Sequence, residues 1–465
     1  MSEPARHDAP VTARRLRDAS RPFLVGLGLI ALLALGVRLF WVLVAYDNFR
    51  PSPDAVYYHV QGWAIADGHW FIDPAQYYYP FTGQPIRVVQ PGATHPPLYG
   101  LYLGLVSWLG FWSVKAHRLA SCLLGTGAVV VIALTGRKMV SERVGLLAAA
   151  VAAVYANLWI NDGILVSESL TALTTALVLL AAYALWRRAT LANAAWLGLA
   201  FGLATLSRAE IVILAPLLAF PLVLGMRDVG MRSRFQMLSV IALCMAALVG
   251  PWVGYNLTRF EKPVLLTSNP STVLAFASCD ATYYGKLVGW YSACPALTPR
   301  LGRDDAPTHR PGRSDASQYD AIQRHAALRY IRHHLGRMPV VMLIRVGRLW
   351  DVYRPAQTRL LNATQEFRTR GASRVAQISS WLLFPVAIAG LIVMRRWRVP
   401  ISPLVAPAVV VTIVAAIFFG VLRYRVSAEP SLVLAAAVSL DVLWTSMIDR
   451  RRARVPEEIA CGPAT

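Results

Sequence analysis

The residues able to do chemistry in this chain are few and far apart. Asp54 stands in Pro51-Ser-Pro-Asp-Ala-Val-Tyr-Tyr58, just after the first long apolar run, 23–46. The prolines ahead of it stop a helix and stiffen the entry to the next segment. A carboxylate held there can take a proton from a hydroxyl. Glu168, in Asn161-Asp-Gly-Ile-Leu-Val-Ser-Glu-Ser169, sits at the end of an apolar run, where an acid is costly unless it faces a cavity or a partner. Thr94-His95-Pro96-Pro97-Leu98-Tyr99 aims an imidazole from the rigid start of a helix. Leu422-Arg-Tyr-Arg-Val-Ser-Ala-Glu-Pro430 sets Arg423 and Arg425 around Tyr424, between the last two apolar runs. Two permanently charged guanidinium forks suit a phosphate. Arg208 and Glu210 break another pair of runs, where they either pair with each other or line a cavity. The assignment is therefore Asp54 and Glu168 as catalytic acids, Arg423, Tyr424, Arg425 and Arg208 as phosphate-binding, and Tyr57, Tyr58 and His95 as substrate-binding. Each group also has a plainer reading. Asp54 could cap a helix, Glu168 could bond Ser167 or Ser169, and the arginines could anchor lipid headgroups.

The elements that position these groups are apolar helices. Of 465 residues, 56% are hydrophobic, and the mean hydropathy is +0.47, above the soluble range. Charge is scarce and gathers between long apolar stretches, the pattern of an all-α polytopic membrane protein. The net charge of +21 comes almost wholly from Arg, since only four of the 46 basic residues are Lys. Much of that Arg flanks apolar runs, so anionic lipid or phosphate accounts for it, and no nucleic-acid-binding motif is present. Runs of spanning length fall at 23–46, 118–136, 143–160, 164–186, 192–207, 209–226, 236–255, 376–394, 401–421 and 429–447. If the run 96–112 is a surface or re-entrant helix, the basic connectors at Arg137, Arg187, Arg227, Arg395 and Arg450 all fall on the cytoplasmic side. About ten spans result, with both termini inside. Segments 47–117, 157–168, 256–375 and 423–429 then share the outer face.

This threading divides the chain into a cytoplasmic tail (1–22), a seven-span module (23–255) with its first outer loop at 47–117, an extracytoplasmic loop domain (256–375), three final spans (376–447) and a second tail (448–465). The first apolar run is of full spanning length and reads as an uncleaved helix. The loop domain is too long to be structureless. It opens on strand-like Pro263-Val-Leu-Leu-Thr267, so an α/β or irregular fold is expected, followed by an amphipathic helix over 318–334. In the stretch 338–353, Arg345 and Arg348 lie among apolar residues, as in an interfacial helix with arginines facing headgroups. Arg38, about two turns below the first loop, either snorkels outward or neutralises a buried acid. Cys279 and Cys294 share the long loop and are expected to form a disulfide. No Cys/His spacing suggests a zinc site. No cofactor is certain, although Asp54 and Glu168 could hold a divalent ion with waters.

The order of these motifs resembles a known group. A single Asp in the first outer loop, His-Pro-Pro-Leu-Tyr opening the next helix, His117-Arg-Leu-Ala-Ser121, Gly-Arg-Lys with Ser-Glu-Arg-Val-Gly, Ser-Glu-Ser-Leu, and the late Arg-Tyr-Arg…Glu-Pro are together similar to the GT-C superfamily. The likeness is closest to bacterial relatives of protein O-mannosyltransferases, aminoarabinose transferases and lipopolysaccharide galacturonosyl transferases. It implies a GT-C-type helical bundle with juxtamembrane helices in a bacterial plasma membrane. It further implies an inverting glycosyltransferase with an extracytoplasmic site, a polyprenyl-phosphate sugar donor, and a glycan, lipid or protein acceptor. Asp54 matches the family's first-loop acid and Glu168 an acid of the second outer loop. Many relatives pair that first acid with a second, whereas here Asp54 is followed by Ala55. The alternatives from other classes are a lipid-linked-sugar flippase or transporter and a non-catalytic assembly scaffold. No internal repeat of the kind transporters carry is visible.

Overall fold

A computed structural model describes residues 19–74, 90–294 and 315–452. Cys461, the greater part of both tails and most of the polar stretch 300–317 lie outside the described residues.

The apolar runs become helices whose starts are set by small polar caps. Ser20 Oγ accepts from the Phe23 N–H at the head of α1 (Arg21–Phe40), which continues into a π-helical turn at Trp41–Ala45. Ser52 caps α2 (Pro53–Ala66) by accepting from the Ala55 N–H, so Asp54 is a first-turn residue and not the cap. The His-Pro-Pro step leads into α3 (Pro97–Trp108). Ser113 caps α4 (Val114–Met139) and Ser141 caps α5 (Glu142–Val154). At Tyr155 the backbone is extended, and the chain turns 49° into α6 (Ala156–Gly163). Then come α7 (Glu168–Arg187), α8 (Leu191–Ser207), a 3-10 turn (Ala209–Ile213), α9 (Leu214–Leu224) and α10 (Met231–Leu257). The loop domain carries α11 (Pro270–Phe276), α12 (Asp280–Tyr283), α13 (Ala316–His333), α14 (Met338–Leu349) and α15 (Pro355–Thr364). The chain ends with α16 (Arg370–Arg396), α17 (Ser402–Ile417), a 3-10 turn (Leu422–Ser427) and α18 (Glu429–Arg452).

Among the described residues, six helices are long and apolar enough to cross a bilayer, or seven if the bent α5–α6 pair counts as one. Each of the ten expected runs coincides with one of these helices or with a shorter apolar one at Leu191–Ser207, Ala209–Leu224 or Ser402–Ile417. Length alone thus supports six or seven crossings. With 12 residues, α3 is about 18 Å long, short of the roughly 30 Å hydrocarbon core.

Small side chains let the helices close on one another. Ala133, Ala148, Ala152 and Ala176 are fully buried where α4, α5 and α7 meet. Without water to drive association, close backbone approach supplies the packing energy. The exposed apolar residues of α1 and α10, among them Leu32 and Leu243, form outer faces suited to lipid. Arg38 does not snorkel: its Nε lies 2.8 Å from Asp162 Oδ2, and both side chains are buried. It neutralises an acid that the bend at Tyr155 carries inward.

The loop domain departs from expectation in two ways. Residues 263–267 form no strand, and among the described residues the only β feature is an isolated bridge between Ile72 and Pro91, so the described part of this segment is helical rather than α/β. Arg345 and Arg348 face no headgroups. Both are buried and donate to backbone carbonyls, Arg345 to Ala277, Ala416 and Ile417, and Arg348 to Val288. Satisfying buried C=O groups of this kind (two of them at the end of α17) is worth more than a headgroup contact. Cys279 and Cys294 are joined in a disulfide, with Cα atoms 5.9 Å apart.

Candidate active site

Six separate segments converge on one cavity of about 320 Å³. The first two turns of α2 supply Asp54 and Tyr58. Thr94, His95 and Pro96 come from the entry to α3, and Ser167 and Glu168 from the start of α7. The break between α8 and α9 gives Ser207, Arg208 and Glu210. Asn269 and Val273 come from the loop domain. The end of α17 and the turn after it provide Val414, Ile417, Phe418, Arg423 and Tyr424. Helix ends predominate because a polar side chain needs a break in the apolar lattice to be accommodated.

Within it the charges interlock. Arg423 Nη1 donates to Asp54 Oδ2 at 2.7 Å, across 369 positions of sequence. Its Nε lies 3.1 Å from Glu366 Oε2 and 3.8 Å from Glu168 Oε1. Arg208 donates to Glu168 Oε1 at 2.8 Å and to Glu210 Oε1 at 2.5 Å, and stacks over the Tyr424 ring at 4.7 Å. It therefore both pairs with Glu210 and lines the cavity. His95 Nε2 stands 3.5 Å from Asp54 Oδ1, near but longer than a formed hydrogen bond, and its ring stacks on Tyr58. Burial by itself would raise the Asp54 carboxyl. The Arg423 guanidinium, aided by His95, outweighs that effect and holds it well below the usual carboxylate range. Asp54 is therefore an ionised acceptor clamped by a cation. Ile213, Val273, Val414, Ile417 and Phe418 supply apolar lining.

Of the residues singled out from the sequence, Asp54, Tyr58, His95, Glu168, Arg208, Arg423 and Tyr424 meet in this cavity. Tyr57 does not line it and packs edge-on against His95 from behind, with ring centroids 5.0 Å apart. Arg425 is placed differently from the sequence reading. It is fully buried and turned inward, donating to Glu429 Oε1 at 2.7 Å, Ser380 Oγ at 2.6 Å, Leu349 O at 3.0 Å and Asp351 Oδ2 at 3.2 Å. Fully buried, with four of its five N–H donors spent on the fold, Arg425 is not placed to grip a phosphate. The cause is helical spacing: Glu429 is four residues on and claims the guanidinium.

Sequence reasoning passed over Glu366. It is nearly buried, faces Arg423, and accepts from Tyr291 OH at 2.8 Å. A signal did exist, because Glu366 is the only acid between Asp351 and Glu429, in a stretch otherwise rich in Arg. The residues present do not fit a metal. Between Asp54 and Glu168, the pair offered to a divalent ion, stands the Arg423 guanidinium, and among the described residues no group of three or more His, Cys, Asp or Glu is arranged to hold an ion.

Residues 94–254 match the family described as dolichyl-phosphate-mannose-protein mannosyltransferase. No curated protein matches the chain in sequence. Among solved structures, the chain is similar to the oligosaccharyltransferase of Archaeoglobus fulgidus in its apo form. The identity is 15% and the TM-score 0.51, over 93% of this chain and 51% of that one. The archaeal protein AglB in complex with an inhibitory peptide and a dolichol-phosphate gives 14% identity and a TM-score of 0.53, over 96% and 52%. A looser likeness, to ArnT from Cupriavidus metallidurans bound to undecaprenyl phosphate, has 16% identity and a TM-score of 0.43, over 95% and 82%. The chain spans about half the length of the archaeal protein. In fold, this chain is similar to the archaeal oligosaccharyltransferase, and its residues 94–254 match the mannosyltransferase family model.

Proposed function

We propose that the chain is an inverting glycosyltransferase that moves a sugar from a polyprenyl-phosphate donor to an acceptor hydroxyl. The observation that carries this reading is the Asp54–Arg423 pair, 2.7 Å apart in a cavity lined by both charged and apolar side chains. The apolar lining suits the first isoprene units, and the arginines suit the phosphate. The family matched by residues 94–254 is named for a dolichyl-phosphate-linked sugar, and AglB is seen with a dolichol-phosphate. Both support the donor class.

A phosphate leaves readily, so the leaving group needs charge stabilisation rather than a strong acid. Asp54 takes the acceptor's proton as the acceptor oxygen bonds to the anomeric carbon. The bond from that carbon to the phosphate oxygen breaks, and the electron pair leaves with the phosphate toward Arg423 and Arg208. Glu168, held by Arg208, orients the sugar or the acceptor. A clamped carboxylate is a weak base. Donor phosphate competes with Asp54 for Arg423, and as the clamp loosens the Asp54 carboxylate regains basicity. Asp54, Glu168, Arg208 and Arg423 lie on segments that the basic connectors assign to the outer side, which supports an extracytoplasmic site in a bacterial plasma membrane. Nothing in the cavity favours the transporter reading over this one.

Asp54→Asn tests the assignment. Asn retains an oxygen for Arg423 but cannot act as a base, so transfer from a native lipid extract should fall about 10²–10⁴-fold while undecaprenyl phosphate still binds. Turnover at the wild-type rate in that variant would sink the mechanism.

A further inference from the structure

The corner between α13 and α14 presents a second charged surface, remote in sequence from the cavity residues. Along α13, Gln323 and Ala327 are buried against the loop domain. The opposite side holds His325, Leu328, Arg329, Arg332 and His333 around a depression of about 350 Å³. Residues 316–349 contain a single acid, Asp320, and both its oxygens are taken by Ser271. Among the described residues, no carboxylate lies within ion-pair reach of Arg329 or Arg332. Three residues past Arg332, the chain turns through Leu335, which is 59% exposed, into α14, where Val340 is 43% and Leu343 73% exposed.

The position of α14 relates this corner to the bilayer. Arg345 caps the carbonyls of Ala416 and Ile417 at the end of apolar α17, and Trp350 Nε1 donates to Thr412 Oγ1 at 3.0 Å, more than a turn back along that helix. The helix α14 is therefore held beside the last turns of α17, with Val340 and Leu343 facing outward. Cations one turn from unpartnered apolar side chains, at the end of an apolar helix, have the composition of a membrane-surface element.

We propose that the α13–α14 corner binds anionic phospholipid: Arg329, Arg332 and His333 take the headgroup phosphate, and Leu335, Val340 and Leu343 enter the adjoining acyl chains. A soluble anion would gain nothing from the apolar edge, which is why the proposal commits to lipid. It does not depend on the transferase reading.

The test uses the full chain in mixed micelles of phosphatidylglycerol and phosphatidylcholine, with bound lipid counted by native mass spectrometry. Wild type should retain phosphatidylglycerol preferentially. R329Q/R332Q, changing two exposed side chains, should weaken that preference about 30-fold, at about 1 kcal/mol for each arginine near a charged surface. Leu343→Ser should weaken retention with the arginines intact. Equal retention of the two lipids by wild type, or an undiminished preference in R329Q/R332Q protein that elutes as wild type does, would overturn the proposal. So would inorganic phosphate or dextran sulfate binding with the same arginine dependence while lipid retention stays non-selective.

Discussion

Arg423→Gln separates two roles that Arg423 combines. Its Nη1 holds Asp54 at 2.7 Å, and its Nε faces Glu366 at 3.1 Å and Glu168 at 3.8 Å. Toward ligand, Gln loses charge-assisted hydrogen bonds to phosphate worth about 1.5–3 kcal/mol, or about tenfold to 150-fold in Kd. Toward the fold, removing one partner of a buried ion pair costs about 3–5 kcal/mol. Here the side chains of Arg423 and Asp54 remain 19% and 28% exposed, and solvent screening brings the expected cost down to about 1–3 kcal/mol. The pH dependence has a definite sign. The folded-state carboxyl of Asp54 lies below its unfolded value, so the pair's stabilisation is complete above the ordinary carboxylate pKa, about 3.9, and disappears as pH falls toward the folded value. The variant's deficit in Tm should therefore be the same at pH 7 and pH 5, and should narrow only below about pH 4.

Two measurements on detergent-solubilised protein decide the matter: calorimetric titration with undecaprenyl phosphate, and thermal unfolding across that pH range. Glu366→Gln is the informative companion. It removes a competitor for Arg423, so it should lower Tm while leaving phosphate affinity equal to or tighter than wild type. If Arg423→Gln lowers Tm but binds undecaprenyl phosphate as wild type does, Arg423 is only a structural clamp and the phosphate reading fails.

Arg425→Met should behave differently. Asp351 and Glu429 would be left buried without their cation at a cost of about 3–5 kcal/mol, seen as a lower Tm or lost expression, while any protein that folds keeps wild-type affinity for undecaprenyl phosphate. Gly390→Ala tests the α16–α18 contact, because a Cβ there would run into the Ala435 carbonyl; the helices must part, at about 1–3 kcal/mol read as a drop in Tm.

Much of the architecture was legible because membrane helices announce themselves by length and by the arginines between them. The basic connectors alone put segments 47–117 and 423–429 on one face, and Asp54 and Arg423 do meet. What stayed hidden was orientation within a motif. Arg423 and Arg425 look equivalent in Arg-Tyr-Arg, yet a tight 3-10 turn sends one into the cavity and the other to Glu429. The same ambiguity misplaced Arg345 and Arg348, whose apolar neighbours fit an interfacial helix as well as a buried one. Carbonyls left free at the end of α17 resolved it, and no local pattern reports those. Glu366 went unseen for a related reason: a lone acid among arginines declares its partner only when the chain folds back on itself.

The charge count of the site bears on how it works. Asp54, Glu168, Glu210 and Glu366 surround Arg208 and Arg423, four carboxylates to two guanidiniums. A site that merely stored phosphate would carry the opposite surplus. With carboxylates already facing each arginine, an arriving phosphate must compete with them. Displacement at Arg208 would free Glu168 or Glu210, whereas displacement at Arg423 frees Asp54, the acid beside His95. A base that wakes only when the donor is seated takes a proton only when there is a sugar to transfer. On this reasoning, the ion pair that makes Asp54 look inert in the resting structure is also what makes it selective.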